Sequence, residues 1–250
     1  EQPDIIHAHY GLSGLLANLQ RKIPVITTFH GSDINSKYVL LFSKVAQKLS
    51  KASIVVSKNL KEKLGSSKKI HIIPCGVDLK VFAENKSIKS YFNNTYNVLF
   101  SSSFSNKIKN YDLAEQACGL AEKILNKKIN LIELKGFSRE EVARVMNLAD
   151  CLLLTSFSEG SPQFIKEAMA CNCPIVTTDV GDVQWVAGNT AGCFITSFKP
   201  EDVAKKIKLA IEFRKKHSQT KGRERIIELG LDSATVSKRI IEVYEKVLNC

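Results

Sequence analysis

The chain has 250 residues, 44% of them apolar and 24% charged, with a formal net charge of +11. Such a length and balance fit one large or two modest globular domains and exclude a disordered polar chain. No apolar run reaches the roughly 18 residues that a helical membrane span requires.

The basic excess is mostly lysine. It concentrates in 58–69, 123–128 and 205–221, where amphipathic helices or their ends are expected. No RNA-binding aromatic signature accompanies it, so nucleic acid is not expected as a partner. A basic surface also suits a phosphorylated substrate or anionic lipid. The seven cysteines (75, 118, 151, 171, 173, 193 and 250) are scattered, several within apolar runs. They read as small buried hydrophobes and not as a disulfide framework. Cys171 and Cys173 lack zinc spacing and a second ligand pair.

In chain order, 4–9 reads as a strand, 12–22 as a helix and 25–29 as a strand. A helix follows at 38–51, a strand at 53–57, a short helix at 59–64 and a strand at 69–73. This βαβα order predicts a parallel sheet covered by helices. From Cys75 to Asn94 the periodicity lapses, as expected of an interdomain connection. A second series runs through strand 97–101, helix 112–126, strand 129–134, helix 139–148 and strand 151–155. Helix 163–171, strand 174–177 and a short strand at 193–195 come next. Helices at 200–216, 223–229 and 233–248 close the chain. The expected domains are 1–85, a partial first α/β domain with its linker, and 86–232, a second one. Residues 233–250 form a terminal helix that packs back on the first. The chain opens with Glu1 inside a βα unit and has no glycine-rich first turn, so the first block is either small or lacks its first half.

Chemistry concentrates after the strand that ends at Thr155. A small polar loop holds Glu159, Pro162 is expected in the first turn of the next helix, and Glu167 follows one turn in. In open parallel sheets, ligands bind beyond the carboxyl ends of strands. A helix N-terminus there suits a diphosphate, and a carboxylate such as Glu167 can accept hydrogen bonds from vicinal hydroxyls. His7 and His9 share one side of a strand, with no third metal ligand nearby in sequence. His9 is read as lining a cleft and His7 as packing. Trp185 is read as a packing residue.

Glu159 and Glu167 form E-x7-E, followed by Ala168-Met169-Ala170, Pro174-Ile175-Val176-Thr177-Thr178 and Asp179-Val180-Gly181. Other landmarks are Asp4 to His9, Phe29-His30-Gly31-Ser32-Asp33, Ile73 to Asp78 and Lys109-Asn110. In this order they resemble the retaining GT-B glycosyltransferases of family four (group 1), the bacterial surface-polysaccharide members most of all. The resemblance implies two Rossmann-like parallel-sheet domains, the first incomplete here. It implies transfer of a sugar, of hexosyl type, from a nucleoside-diphosphate donor to a hydroxyl of a glycan or lipid-linked acceptor, with retained anomeric configuration. His30, Glu159 and Lys109 would serve catalysis. Glu167 would bind the donor ribose, while Lys107, Lys109, Gly160, Ser161, Pro162, Gln163 and Phe164 would surround the diphosphate. His9, Gly31 and Asp33 would line the acceptor side. No cofactor and no bound metal are implied, because the nucleotide sugar is a substrate. A cytoplasmic enzyme is expected, peripheral on anionic membrane.

Two departures from the pattern stand out. Phe104 occupies the place of the family's usual Arg, five residues before Lys109, and leaves Lys107 as the candidate substitute. The span between Asn110 and Glu159 is also short. Two other functions stay open: a non-catalytic nucleotide-sugar-binding or assembly subunit, and a sugar-nucleotide epimerase on the same scaffold.

Overall fold

The computed structural model describes residues 3–85 and 95–249. The part of the expected connection at 86–94 lies outside the described residues. The chain divides into two compact units, Val77–Ser158 with Pro162–Asp232 forming one and the remainder the other. Each is an α/β layer structure built on a parallel sheet.

In the first unit β1 (Ile6–His9), β2 (Val25–Phe29), β3 (Ala52–Val55) and β4 (Ile70–Ile72) pair in chain order. They alternate with α1 (Gly11–Ala17), α2 (Ser32–Asn35), α3 (Lys37–Leu49) and α4 (Lys58–Leu64). Strands β2 and β3 are buried on both faces, which is why they read as continuous β-branched runs.

The second unit contains β5 (Tyr96–Phe100), a 3₁₀ turn (Lys107–Lys109), α5 (Tyr111–Leu125), β6 (Ile129–Glu133), α6 (Arg139–Leu148) and β7 (Cys151–Leu154). It continues through α7 (Gln163–Ala170), β8 (Ile175–Thr178), α8 (Val183–Ala187), β9 (Cys193–Thr196), α9 (Pro200–His217) and α10 (Gly222–Glu228). The last helix, α11 (Ser233–Leu248), belongs to the first unit. There Val236 and Val243, seven apart on one face, are buried with Ile26, Ala52, Ile54 and Ile73.

Period-two alternation sorts the second sheet's side chains into two cores. Leu99, Leu152, Leu154 and Ile175 join Val142, Met146 and Met169 on one face. Val98, Phe100, Leu153 and Val176 join Ala114, Ala117, Ile207 and Ile211 on the other. Strand order β6-β5-β7-β8-β9 reverses direction at β5. The connections from β5 and β7 therefore leave on opposite sides, and the carboxyl ends of these two strands flank the sheet's switch point.

Three short elements differ from expectation: α2, α8 and the 3₁₀ turn are too brief for a periodic signal. Pro162 is the N-cap of α7, in extended geometry at φ −65° and ψ 116°, and not its first helical residue. Trp185 is about half exposed on α8, so it is no core residue. Among the described residues the six cysteines are all unbridged, and four of them are buried. No described helix is long and apolar enough to cross a membrane.

Candidate functional site

On the second unit the loop after β5 is fastened before it reaches its lysines. Glu133, at the end of β6, accepts from Ser103 Oγ and from the Phe104 N–H, both at 2.8 Å. Those two donors hold its carboxyl below the ordinary range. The Phe104 ring packs against Tyr111 at 4.3 Å and Phe100 at 5.5 Å between centroids. The position that resembles an Arg site is therefore an aromatic cluster against the core. Asn106 then starts the 3₁₀ turn by accepting from the Ile108 N–H.

Thr155, at the end of β7, ties this turn in place. Its hydroxyl is 2.9 Å from the Lys109 carbonyl and 3.0 Å from that of Asn110. The Phe157 N–H donates to the Ile108 carbonyl at 2.9 Å. Lys109 is half-buried on the turn and Lys107 is exposed. Asn110 takes the left-handed conformation, at φ 53°, that lets the chain enter α5.

Beyond β7 the chain enters α7. Its Pro162 cap contributes no side-chain hydrogen bond, and no acidic residue lies in its first turn. Glu167 is only 8% exposed. Burial raises its carboxyl to about 7, against the pull of Arg139, a hydrogen bond from Gln163 and neighbouring Lys166. A buried carboxyl poised near neutrality is a common mark of a working site. The structure thus gathers Lys107, Lys109, Gln163, Phe164 and Glu167 on loops and a helix at one end of the second sheet.

The first unit holds the remaining residues. After β2 the Asp33 carboxylate accepts from the main-chain N–H groups of Gly31 (2.8 Å), His30 (3.1 Å) and Gly11 (3.1 Å). It is fully buried, so Asp33 does not line an open surface. It positions the His30–Gly31 loop instead. Gly31 has φ 133°, which a side chain would strain.

His9 Nδ1 lies 2.9 Å from His30 Nε2, and His30 Nδ1 lies 3.8 Å from the Cys75 sulfur. His7 hydrogen-bonds Tyr244 at 2.5 Å and Thr28 at 2.7 Å, and its ring stacks on His9. Burial lowers His7 to about 4, with further pushes from His9 and His30, so it is neutral at ordinary pH. Glu159–Ser161 groups with this unit. Gly160 there has no room for a side chain, since a Cβ would lie 2.2 Å from the His30 carbonyl. Among the described residues no three His, Cys, Asp or Glu groups are placed to share a metal ion.

Arg139 was not anticipated. The Ser138–Glu141 capping box, visible as S-x-x-E, marks it as the first residue of α6. Its nearness to Glu167 is a tertiary fact with no local signature.

Two family models match the chain: Glycosyltransferase Family 4 over residues 1–81 and Glycosyl transferases group 1 over residues 112–212. An uncharacterized glycosyltransferase of Methanocaldococcus jannaschii is 32% identical over 233 residues, covering 82% of this chain and 64% of that protein. TuaC of Bacillus subtilis, named for teichuronic acid biosynthesis, is 26% identical over 220 residues, covering 74% of this chain and 56% of its own length. The chain thus spans a little over half of these relatives. Among solved structures, Anabaena HepE in complex with UDP superposes with a TM-score of 0.80 at 17% identity, over 97% of this chain and 79% of HepE. That likeness extends the fold alone. The chain belongs to the glycosyltransferases of family four and group 1, with the first model on its opening sheet and the second on its closing one.

Proposed function

We propose that the chain is part of an enzyme that moves a sugar from a nucleoside diphosphate to a hydroxyl of a glycan or lipid-linked acceptor, with retention of configuration. The observation that carries this reading is the loop pair at the second sheet's switch point. One loop holds Lys109 on a turn fastened to Thr155, and the other leads to α7 and the buried Glu167. Relatives named as glycosyltransferases support it, and the UDP held by HepE supports a nucleotide donor.

In this reading Glu167 accepts from the ribose hydroxyls, and the start of α7 faces the diphosphate. Lys109, with Lys107 in place of the absent Arg, stabilises charge on the departing diphosphate. One such contact is typically worth ~3 kcal/mol, about a hundredfold in rate. Glu159 and His30 meet the transferred sugar, and His9 and Gly31 the acceptor, while Asp33 holds their loop. The bond from the anomeric carbon to the diphosphate oxygen breaks as the acceptor oxygen bonds on the same face. The acceptor proton passes to the released phosphate. No residue is assigned as a covalent nucleophile, and the charge stabilisation is assigned to lysines and main-chain dipoles without a resident metal. The TuaC name supports a surface polysaccharide as the product class. We place the reaction at the cytoplasmic side of a membrane.

Calorimetry and product NMR on the whole gene product test this. Glu167→Ala lowers affinity for the donor nucleotide at least tenfold, and His30→Ala leaves it within twofold but reduces transfer (about 1.4 kcal/mol per tenfold). Equal nucleotide binding by wild type and Glu167→Ala removes the ribose role, and an inverted product removes retention. The aromatic packing of Phe104 against Tyr111 favours one second reading, a binding-only subunit. That protein would hold nucleotide yet neither transfer nor hydrolyse the donor. Conversion of free sugar nucleotide without an acceptor would indicate an epimerase.

A further inference from the structure

We infer that Tyr244, on the closing helix, and His7, on the first strand, are positioning residues for the His9–His30 pair. The inference rests on the proposed reading in which His30 meets the transferred sugar. His7 and His9 lie two apart on β1 and so project from one face of the sheet. Their rings stack, with centroids 4.5 Å apart. His9 in turn meets His30 edge to edge, since Nδ1 to Nε2 is 2.9 Å and the ring planes differ by only 20°. That is the geometry of an N–H···N bond, in which one ring must donate and the other accept. The direction of the bond therefore ties the tautomer of His30 to that of His9. A residue that fixes the His9 ring restrains His30 as well.

His7 is held for that task from both sides. Its Nδ1 lies 2.5 Å from the Tyr244 hydroxyl and its Nε2 lies 2.7 Å from the Thr28 hydroxyl. Burial raises the Tyr244 phenol above its ordinary value, so it keeps its proton. A phenol is a stronger acid than an aliphatic hydroxyl, which makes Tyr244 the donor to His7. His7 then carries its own proton on Nε2 and donates it to Thr28. Burial, with further pushes from His9 and His30, keeps the ring uncharged. A neutral ring fastened at both nitrogens gives His9 a fixed surface to stack on and adds no charge to the pair. Packing alone does not explain the hydroxyl. Tyr244 follows Val243 on the face of α11 that covers Ile26, Ile54 and Ile73, where a phenylalanine would bury as well. An aliphatic side chain at position 7 would likewise fill its place without needing two partners. The 237 residues between His7 and Tyr244 hide the link from any sequence motif.

The experiment is nitrogen NMR of the histidine rings in the whole gene product without substrate, which reads each ring nitrogen as protonated or bare. Wild type is expected to show His7 protonated on Nε2, and His9 Nδ1 with His30 Nε2 as one donor and one acceptor. Tyr244→Phe and Thr28→Val should each turn the His7 signals towards the average of exchanging tautomers and move the His9 and His30 signals with them. Thr28→Ser, which keeps the hydroxyl, should keep the wild-type pattern. Thermal unfolding checks that the variants fold, and either Tyr244→Phe or Thr28→Val suffices if the other does not. His9 and His30 signals that these variants leave unchanged overturn the inference, and so does a His7 proton found on Nδ1. Transfer is read separately. Tyr244→Phe should lower kcat about threefold to tenfold, the range of one hydrogen bond, with UDP affinity unchanged within about twofold. In a His7→Phe background it should cost nothing further, and additive losses would show that Tyr244 does not act through His7. A wild type that gives the expected NMR pattern yet transfers no sugar counts against the transferase reading alone.

Discussion

After β2 the chain turns into α2, and the N–H groups of His30 and Gly31 meet the Asp33 carboxylate, which also accepts from Gly11. After β7 the chain turns into α7 with Pro162 at the cap, no side-chain cap bond and no acid in the first turn. Both loops leave the carboxyl end of a central parallel strand. In the first, a carboxylate of the chain itself already sits where an anion would go. In the second, the first turn of the helix holds no acid, and the nearest acid along the helix, Glu167, sits one turn further in. The first loop is held in shape by its own carboxylate; the second is the one to which the proposed reading assigns the donor's charge.

The largest expected effect comes from breaking the first loop. Asp33→Ala leaves three main-chain donors without their acceptor in a buried place, at a cost of about 1–3 kcal/mol each. A loss of at least ~3 kcal/mol in urea unfolding is expected. A loss below ~1 kcal/mol would mean that the carboxylate is not what holds the loop.

Glu167 gives a smaller effect with a pH signature. Its carboxyl is raised from 4.5 to about 7 by burial, so the folded state binds this proton more tightly than the unfolded chain. Below about pH 4.5 both states are protonated and the group is neutral in the balance. As pH rises from there through about 7, the unfolded state ionises freely while the folded state resists, and stability falls. Glu167→Gln removes that penalty. It should match wild type in acid and exceed it above pH 7 by on the order of 2–3 kcal/mol. Nucleotide affinity should move the other way. Wild type should bind more tightly as Glu167 ionises and becomes a pure acceptor, and Glu167→Gln should show no such rise in calorimetry across pH 5.5–8.

Much of this contrast could be read from the residues, and the unread part has a physical pattern. Continuous apolar or β-branched runs at 25–29 in the first sheet and at 96–100 and 151–154 in the second, with the 3.6-residue period of α5 and α11, marked the strands and their covering helices. Pro162 and the spacing to Glu167 marked the second loop, because proline and paired acids are local signals. Asp33 misled because its residue type fits a cleft as well as a clamp. Only the main-chain N–H directions, which no residue pattern encodes, distinguish the two. Phe104 signalled a missing cation but not the aromatic cluster that replaces it. Arg139 could not be linked to Glu167 at all, since 28 residues and a sheet crossover separate them.

The comparison can be sharpened by giving α7 what α2 has. Gln163→Asp places a carboxylate in the first turn of α7, close to the positive end of the helix. It should stabilise that end by ~0.3–1 kcal/mol, as first-turn acids do. The same charge would occupy and repel the place assigned to the diphosphate, so UDP affinity should fall about tenfold, ~1.4 kcal/mol. Gln163 also hydrogen-bonds Glu167, and its loss alone could weaken binding. Gln163→Asn shortens the side chain equally without adding charge and serves as the control. If Asp and Asn weaken UDP binding alike, the effect belongs to the lost contact with Glu167, and the start of α7 is not where the diphosphate sits. If Asp alone weakens UDP while uridine, which carries no phosphate, binds both variants equally, the anion is located at that turn.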